Sequence, residues 1–409
     1  MKDYVAQRSR QEVSKTDILA INSQAIADRN SGNTVINAST GVFLNEDRKL
    51  GSVKLISDAL ETHITDKLSY SNVYGDEDYL SSVMTFIFKE REKELSSLYY
   101  PFIGSTLGGT GAISIAFHLF QDENQSVLLP SIMWTNYMLI AKKSSLTYKK
   151  YEMFTTEGTF NLQSVKETIE EAKKKHDRVL LVINDPCHNP TGYCMSEEEY
   201  DGLFALLDEE GKDCNLTVLF DIAYIAFFHI PNRKCALIDK LLEKKHSFMP
   251  LIAFSCSKVF GLYGLRVGAF IALPSDKDES EEISRAFGAE ARGTYSVPNG
   301  PVQHCIGEVL KDEKNLEELE DEINLNTMEL ARRSKVLLSS LEKNHIPHYP
   351  YSCGFFVSLK VKDANRIAEE MKKEHMYVVP IAEDTLRLAI SGMTEKEIVT
   401  LVDELKKHL

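Results

Sequence analysis

Ser255-Cys256-Ser257-Lys258-Val259-Phe260-Gly261-Leu262-Tyr263-Gly264-Leu265-Arg266-Val267-Gly268 follows directly on the apolar run Leu251-Ile252-Ala253-Phe254. A short, continuous apolar run of this kind reads as a strand buried on both faces. Such a strand carries Lys258 out of the core together with Ser255, Ser257 and Arg266 in a glycine-rich setting. Lysine at a strand end packs poorly but is chemically useful. Desolvation and the neighbouring guanidinium both disfavour the ammonium, leaving an amine able to form a Schiff base. Ser255, Ser257 and Arg266 offer hydrogen bonds and charge to a phosphate. By itself, Ser-x-Ser-Lys reads as readily as a solvated lysine in a turn.

Three other segments supply complementary chemistry. Asp221 emerges from the apolar Val218-Leu219-Phe220, a costly place for a carboxylate unless a cation faces it. Gly109-Thr110-Gly111 opens an apolar helix from Ala112 to Phe120, and free N–H groups at a helix N-terminus suit a phosphate. No Lys-Ser/Thr follows these glycines, so they are not a Walker loop, and no G-x-G-x-x-G follows a strand to indicate a dinucleotide. Asn184-Asp185-Pro186-Cys187-His188-Asn189-Pro190-Thr191-Gly192 leaves a further strand, with Pro190-Thr191-Gly192 reading as a turn that fixes Asn189.

Around these segments helices and strands alternate. Strands are predicted at Val127-Leu128-Leu129, Tyr148 to Met153, Val179 to Ile183, Thr217 to Phe220, and near 251 and 267. Helices are predicted over Val53 to Lys67, Asp76 to Lys93, Leu162 to Lys175 and Glu197 to Glu209, with another after Trp134. The pattern implies an α/β fold whose mostly parallel sheet is covered by helices on both faces, with ligands beyond the carboxyl ends of the strands. Asp185, Asp221 and Ser255 stand at three such ends. Past Pro301, a long charged helix (Leu316 to Leu341), strands at 354–359, 377–379 and 385–390 and a helix from Ala364 to Lys373 form a smaller α/β domain. At the other end, Thr16 or Asp17 could cap a helix that stops at Gly32. The expected boundaries are 1–50 for an N-terminal arm and part of the small domain, 51–312 for the large domain and 313–409 for the small one.

In this order the motifs resemble the aspartate and aromatic amino acid aminotransferases, class I enzymes that depend on pyridoxal 5′-phosphate and share the aspartate aminotransferase fold. The resemblance runs from about Gly41 to the C-terminus. It implies that Lys258 holds the cofactor and acts as the base, that Asp221 pairs with the protonated pyridine nitrogen, and that Tyr224 and Asn189 bond the ring oxygen. It assigns the phosphate to Gly109, Thr110, Ser255, Ser257 and Arg266, with Tyr70 reaching in from a second subunit of a homodimer. Trp134 matches the aromatic that stacks on the ring, and His188 a supporting residue that carries no proton. Arg387, in an otherwise apolar strand, matches the arginine that grips the substrate α-carboxylate through two parallel hydrogen bonds. Arg292 matches the one that reaches across the interface to a distal carboxylate. Gly41 and Asn136 complete the substrate site.

The chain departs from strict aspartate enzymes at Leu44, Leu50 and Val297, where those carry lysine, threonine and asparagine. Each change makes a pocket wall more apolar, which leans the expectation toward tyrosine and phenylalanine, with aspartate and other dicarboxylates accepted and 2-oxoglutarate as amino acceptor. Strict aspartate aminotransfer, or a β-lyase or decarboxylase on the same fold, are the alternatives. A non-catalytic DNA-bound regulator is a more distant one.

Composition sets the remaining bounds. The chain has 409 residues, 43% hydrophobic and 26% charged, with a net charge of −14. Such acidity argues against a nucleic-acid groove. The seven cysteines form no C-x-x-C pair and no ligand-like spacing with histidine, so no metal site is predicted and reduced thiols in a cytoplasm are expected. No apolar run approaches the roughly 20 residues that span a bilayer.

Overall fold

The computed structural model describes Tyr4 and residues 18–409. The cap at Thr16 or Asp17 lies outside the described residues, whereas the helix beyond it, Ile18–Asn30, is formed. The chain divides into two compact units. One comprises the segments up to Gly41, Arg333–Tyr349 and Phe356–Leu409; the other comprises Val42–Arg332 and Pro350–Phe355.

Among the described residues the first strand is β1 (Ile36–Asn37). There follow β2 (Phe102–Thr106), β3 (Ser126–Pro130), β4 (Thr147–Tyr151), β5 (Arg178–Asn184), β6 (Asn215–Asp221), β7 (Met249–Ser255) and β8 (Gly268–Ala272). These seven form one sheet in the order β2-β8-β7-β6-β5-β3-β4. Pairing is parallel except at β8, which runs antiparallel to both neighbours. The predicted mostly parallel sheet is therefore present, with one reversed strand and with β2, which the sequence reading did not include.

Successive side chains of a strand point to opposite faces, and the core divides accordingly. Leu128, Leu181, Val218, Phe220, Ile252 and Phe254 join one apolar cluster. Their alternates Val127, Leu129, Leu180, Val182, Leu219, Leu251 and Ala253 join another. With both faces roofed by helices, the central strands are apolar through their middles, which is why those runs look unbroken in the sequence, whereas the edge strand β4 carries Lys149 and Lys150 and is largely exposed. The second cluster also contains Ala112, Ile113 and Phe117 of the helix Gly108–Phe120 and Tyr137 of the helix Asn136–Lys143. The predicted helix Asp76 to Lys93 is interrupted: Glu77–Phe88 is helical, Lys89 takes a φ of 53°, and Glu92–Leu98 forms a separate helix. Lys277–Thr294 and Gly300–Leu310 are further helices.

The smaller unit contains β9 (Phe356–Lys360), β10 (Met376–Tyr377), β11 (Val379–Ala382) and β12 (Thr385–Ala389). β12 lies between β11 and β9, antiparallel to both, and β1 pairs with β10. The charged stretch after Pro301 is one helix of 31 residues, Glu313–Lys343, continuous across the division between the units. The division falls after Gly41 and after Arg332, where the sequence reading put 50 and 312, and Pro350–Phe355 belongs with the larger unit. No helix of the described residues is long and apolar enough to cross a membrane.

Candidate active site

The larger unit brings its chemistry to the carboxyl ends of β5, β6 and β7. Asn184 and Asp221 end adjacent strands and face each other in register. The Asn184 side-chain amide donates to the Asp221 carbonyl at 2.8 Å, and its amide oxygen accepts the Asn189 N–H at 2.8 Å. One side chain thus couples the Asn189 loop to the strand bearing the carboxylate.

Asp221 is buried, and burial raises its pKa above the ordinary carboxylate value. The Tyr137 hydroxyl donates to Oδ2 at 2.5 Å and the Ala223 N–H donates to Oδ1 at 3.2 Å. Burial, reinforced by the adjacent carboxylate, holds Tyr137 protonated, so it is the donor in its bond to Asp221. Both oxygens keep lone pairs for a further donor. Trp134 lies just before the helix that carries Tyr137, and the two rings meet edge to face at 5.4 Å. The sequence reading did not select Tyr137, because a tyrosine at helical spacing inside an apolar stretch is indistinguishable from core.

Lys258 lies in a four-residue helix, Cys256–Val259, entered straight from β7. Its Nζ is 4.6 Å from the centroid of the Tyr263 ring and 5.7 Å from that of Tyr224. Tyr224 is buried and packs edge to face on Phe355 at 5.2 Å. The fold therefore brings together the predicted Lys258 and Tyr224, which are far apart in sequence.

A second focus is the start of the helix Gly108–Phe120. Arg266 Nη1 donates to Ser257 Oγ at 3.0 Å and to the Tyr263 carbonyl at 2.9 Å. Its Nη2 reaches the Leu107 carbonyl at 3.4 Å. Gly108 has a φ of 70°, and a Cβ there would stand 2.5 Å from the Arg266 guanidinium; a Cβ on Gly109 would lie 3.2 Å from that of Ser255. The left-handed backbone at Gly108 favours glycine, and the lack of a side chain at Gly109 keeps the approach to Ser255 open. Gly109, Ser255, Ser257 and Arg266 therefore surround one point at a helix N-terminus, with Thr110 in the same first turn, and this is a setting for a phosphate. An anion cradle, a buried carboxylate, an amine and a phenol on adjoining strand ends fit pyridoxal phosphate in its charges and donors.

His188 is buried and bonded through Nδ1 to Thr191 Oγ1 at 2.8 Å, and burial pushes its pKa down to about 3, leaving it neutral. Asp185, at the third strand end, is already engaged. It accepts the Met195 N–H at 3.0 Å and a short bond from the Tyr200 hydroxyl, and burial pushes its pKa up to about 7. Its side chain serves the fold. Because the folded form binds this proton more tightly than the unfolded chain, its stabilising contribution is complete below the ordinary value of 3.8 and fades as pH rises toward 7. Asp185→Asn is expected to flatten the fall in thermal midpoint across that window, measured on cofactor-free protein at a series of pH values.

In the smaller unit Arg387 occupies the middle of β12, buried, opposite Val379 on one side and Ser358 on the other. Nη2 donates to the Ser39 carbonyl, and the guanidinium lies over the Phe356 ring at 4.5 Å. That ring also fills the space beside Gly41, where a Cβ would come within 2.3 Å of it. Tyr70 and Arg292, predicted to act across an interface, are exposed: Tyr70 is 91% accessible, and Arg292 bonds only locally, to Ser296 Oγ at 3.1 Å. Leu50 is exposed, while Leu44 and Val297 are half-buried.

Comparison with known proteins agrees with this geometry. A family model described as aminotransferase class I and II matches residues 33–405. The aspartate aminotransferase of Haemophilus influenzae is 24% identical over 386 residues, 91% of this chain and 93% of that one. The tyrosine aminotransferase of Rhizobium meliloti is 30% identical over 297 residues, 71% and 72% of the two chains. Among solved structures, an aminotransferase from Anaerococcus prevotii superposes with a TM-score of 0.91 at 28% identity, covering 100% of this chain and 99% of that one.

Proposed function

Because the chain belongs to the class I and II aminotransferases, we propose that it moves the amino group of tyrosine, phenylalanine or aspartate to 2-oxoglutarate in two half-reactions at one site. The enzyme is pyridoxal-phosphate-dependent, with an amino acid and a 2-oxo acid as substrates. What supports the assignment to this site is the approach of the Lys258 amine to Tyr224. When bound, the cofactor supplies an aldehyde that takes up the amino group and a ring that withdraws electrons from the substrate's Cα–H bond.

The remaining steps belong to the protein. Gly109, Thr110, Ser255, Ser257 and Arg266 bind the phosphate. Asp221, steadied by the Tyr137 hydroxyl, holds the proton on the ring nitrogen, and Tyr224 and Asn189 donate to the ring oxygen. Trp134 covers one ring face. The Lys258 amine would anchor the cofactor and then carry the proton from the substrate Cα to the cofactor's aldehyde carbon, two bonds away. Arg387 pairs with the α-carboxylate, and Gly41 and Asn136 are assigned to the substrate. Arg292 pairs with a distal carboxylate and Tyr70 with the phosphate, each from the partner subunit of a homodimer in the cytoplasm. Their exposure is in keeping with that reading, since in a single chain neither needs to be buried.

Leu44, Leu50 and Val297 give the substrate pocket apolar walls. Burying an aromatic side chain against them contributes on the order of 2 kcal/mol, about a thirtyfold preference. With 2-oxoglutarate as acceptor, tyrosine and phenylalanine are expected to exceed aspartate in kcat/KM by roughly tenfold or more. A preference for aspartate in the same panel overturns the aromatic assignment. Release of ammonia in place of a second amino acid overturns amino transfer altogether.

A further inference from the structure

Cys187, Cys194 and Cys353 are buried side by side in the larger unit, and all three thiol sulfurs lie within 4.8 Å of one another. Cys353 Sγ is 3.5 Å from Cys187 Sγ and 3.3 Å from Cys194 Sγ. No disulfide joins them. Their spacing in the sequence hides the cluster, since Cys353 is 159 residues from Cys194. The fold builds it by docking Pro350–Phe355 on the Asn189 loop. The N–H groups of Ser352 and Cys353 both donate to the Gly192 carbonyl, at 2.8 and 3.0 Å, and the Cys194 N–H donates to Ser352 Oγ at 3.2 Å. Gly354 has a φ of 104° and passes so close that a Cβ would stand 2.7 Å from that of Cys187.

We propose that Cys187, Cys194 and Cys353 form a binding site for one thiophilic divalent cation of the zinc class. Zinc–sulfur bonds of about 2.3 Å in a tetrahedral arrangement put ligand sulfurs about 3.8 Å apart. The two separations from Cys353 need open by only a few tenths of an ångström to reach that spacing, and the third pair lies within 4.8 Å, so small side-chain rotations suffice. One of the sulfurs accepts a backbone N–H group, Cys194 from Cys187 at 3.2 Å. Such an N–H bond favours anionic sulfur and orients it for a metal. An all-sulfur donor set selects a soft or borderline ion over magnesium or calcium. In binding, three S–H bonds ionise, three metal–sulfur bonds form, and up to three protons pass to solvent, leaving one net negative charge. The dication is what makes three thiolates tolerable at a buried position. The ion would clamp the loop carrying Asn189 to the segment carrying Phe355, against which Tyr224 packs. The site does not depend on which amino acid the enzyme prefers.

The test uses the full-length, cofactor-loaded enzyme with its thiols reduced, titrated with Cd²⁺ and, in competition with a chromophoric chelator, with Zn²⁺. One equivalent is expected per chain, with a thiolate-to-cadmium charge-transfer band. Affinity is expected to fall at least about tenfold in Cys187→Ser, Cys194→Ser and Cys353→Ser and to stay unchanged in Cys305→Ser. Absence of the band, or its persistence in Cys353→Ser, overturns the proposal. So does a thiol count of five in place of seven in the air-exposed denatured protein coupled with no metal uptake, which would make the cluster a dithiol oxidised to a disulfide. Should the serine variants not fold, X-ray absorption at the zinc edge of the wild-type protein decides. Three sulfur neighbours at about 2.3 Å support the site, and a shell of nitrogen and oxygen alone overturns it.

Discussion

Lys258→Ala is expected to lower kcat by at least about 10⁴-fold, because one substitution removes both the covalent anchor and the group that carries the Cα proton. The side chain is positioned for both tasks. It issues from a single helical turn closed by the Phe260 N–H on the Cys256 carbonyl at 3.1 Å, and its amine lies between two tyrosine rings. Borohydride should tie the cofactor covalently to the wild-type chain and leave the variant unmodified by mass spectrometry. Added primary amines should restore part of the turnover, since they replace the base but not its placement. Turnover within tenfold of wild type, or covalent attachment at another lysine, would remove Lys258 from the mechanism.

The legible parts of the molecule were those in which one local pattern meets one physical demand. Strands β5, β6 and β7 carry unbroken apolar runs through their middles because helices cover both faces, and each ends on a polar residue where the faces stop. The sequence therefore located Asp221 and Ser255 together with their strands, and Asp185 one residue past the end of β5. β2 was not legible: Phe102-Ile103-Gly104-Ser105-Thr106 has too few large apolar residues to announce a strand, and it is buried because β8 and the helix Lys277–Thr294 cover it. Gly104 is needed there, since a Cβ would strike the Phe287 ring. The reversal of β8 was equally hidden, as strand direction depends on the connection and not on the residues connected. Among site residues, Asp185 and Asp221 looked alike, each a carboxylate following an apolar strand. Contacts distant in sequence separate them. Each accepts one tyrosine hydroxyl and one backbone N–H, but Asp221 lies in register with Ala253 of β7, the strand that leads to Lys258, whereas Asp185 follows β5, which does not pair with β7.

That contrast yields the second large effect. Asp221→Asn preserves shape and can still accept the Ala223 N–H, yet it replaces a group able to carry negative charge with a neutral one. Burial works against the carboxylate, as its raised pKa shows, so the ionised form needs compensation. One neutral hydroxyl and one backbone N–H supply part of it; a cationic pyridine nitrogen supplies the rest and is in turn kept protonated. Without the charge the ring loses its proton and with it most of its capacity to draw electrons from Cα. A loss of about 10²–10³-fold in kcat is expected, the scale of removing one preorganised electrostatic group. Tyr137→Phe takes away only the donor that steadies Asp221, a bond to a charged group worth about 1.5–3 kcal/mol, and should cost roughly tenfold or somewhat more. The two effects share one route and should not add: Asp221→Asn combined with Tyr137→Phe is expected to be little worse than Asp221→Asn alone. The absorption of the bound cofactor, followed against pH, provides a readout separate from turnover. The ring-nitrogen titration should move to lower pH in Asp221→Asn and by a smaller amount in Tyr137→Phe. Multiplicative losses in kcat together with an unmoved spectrum would mean that the pair acts through packing, and that the charge at the end of β6 is not what holds the ring proton.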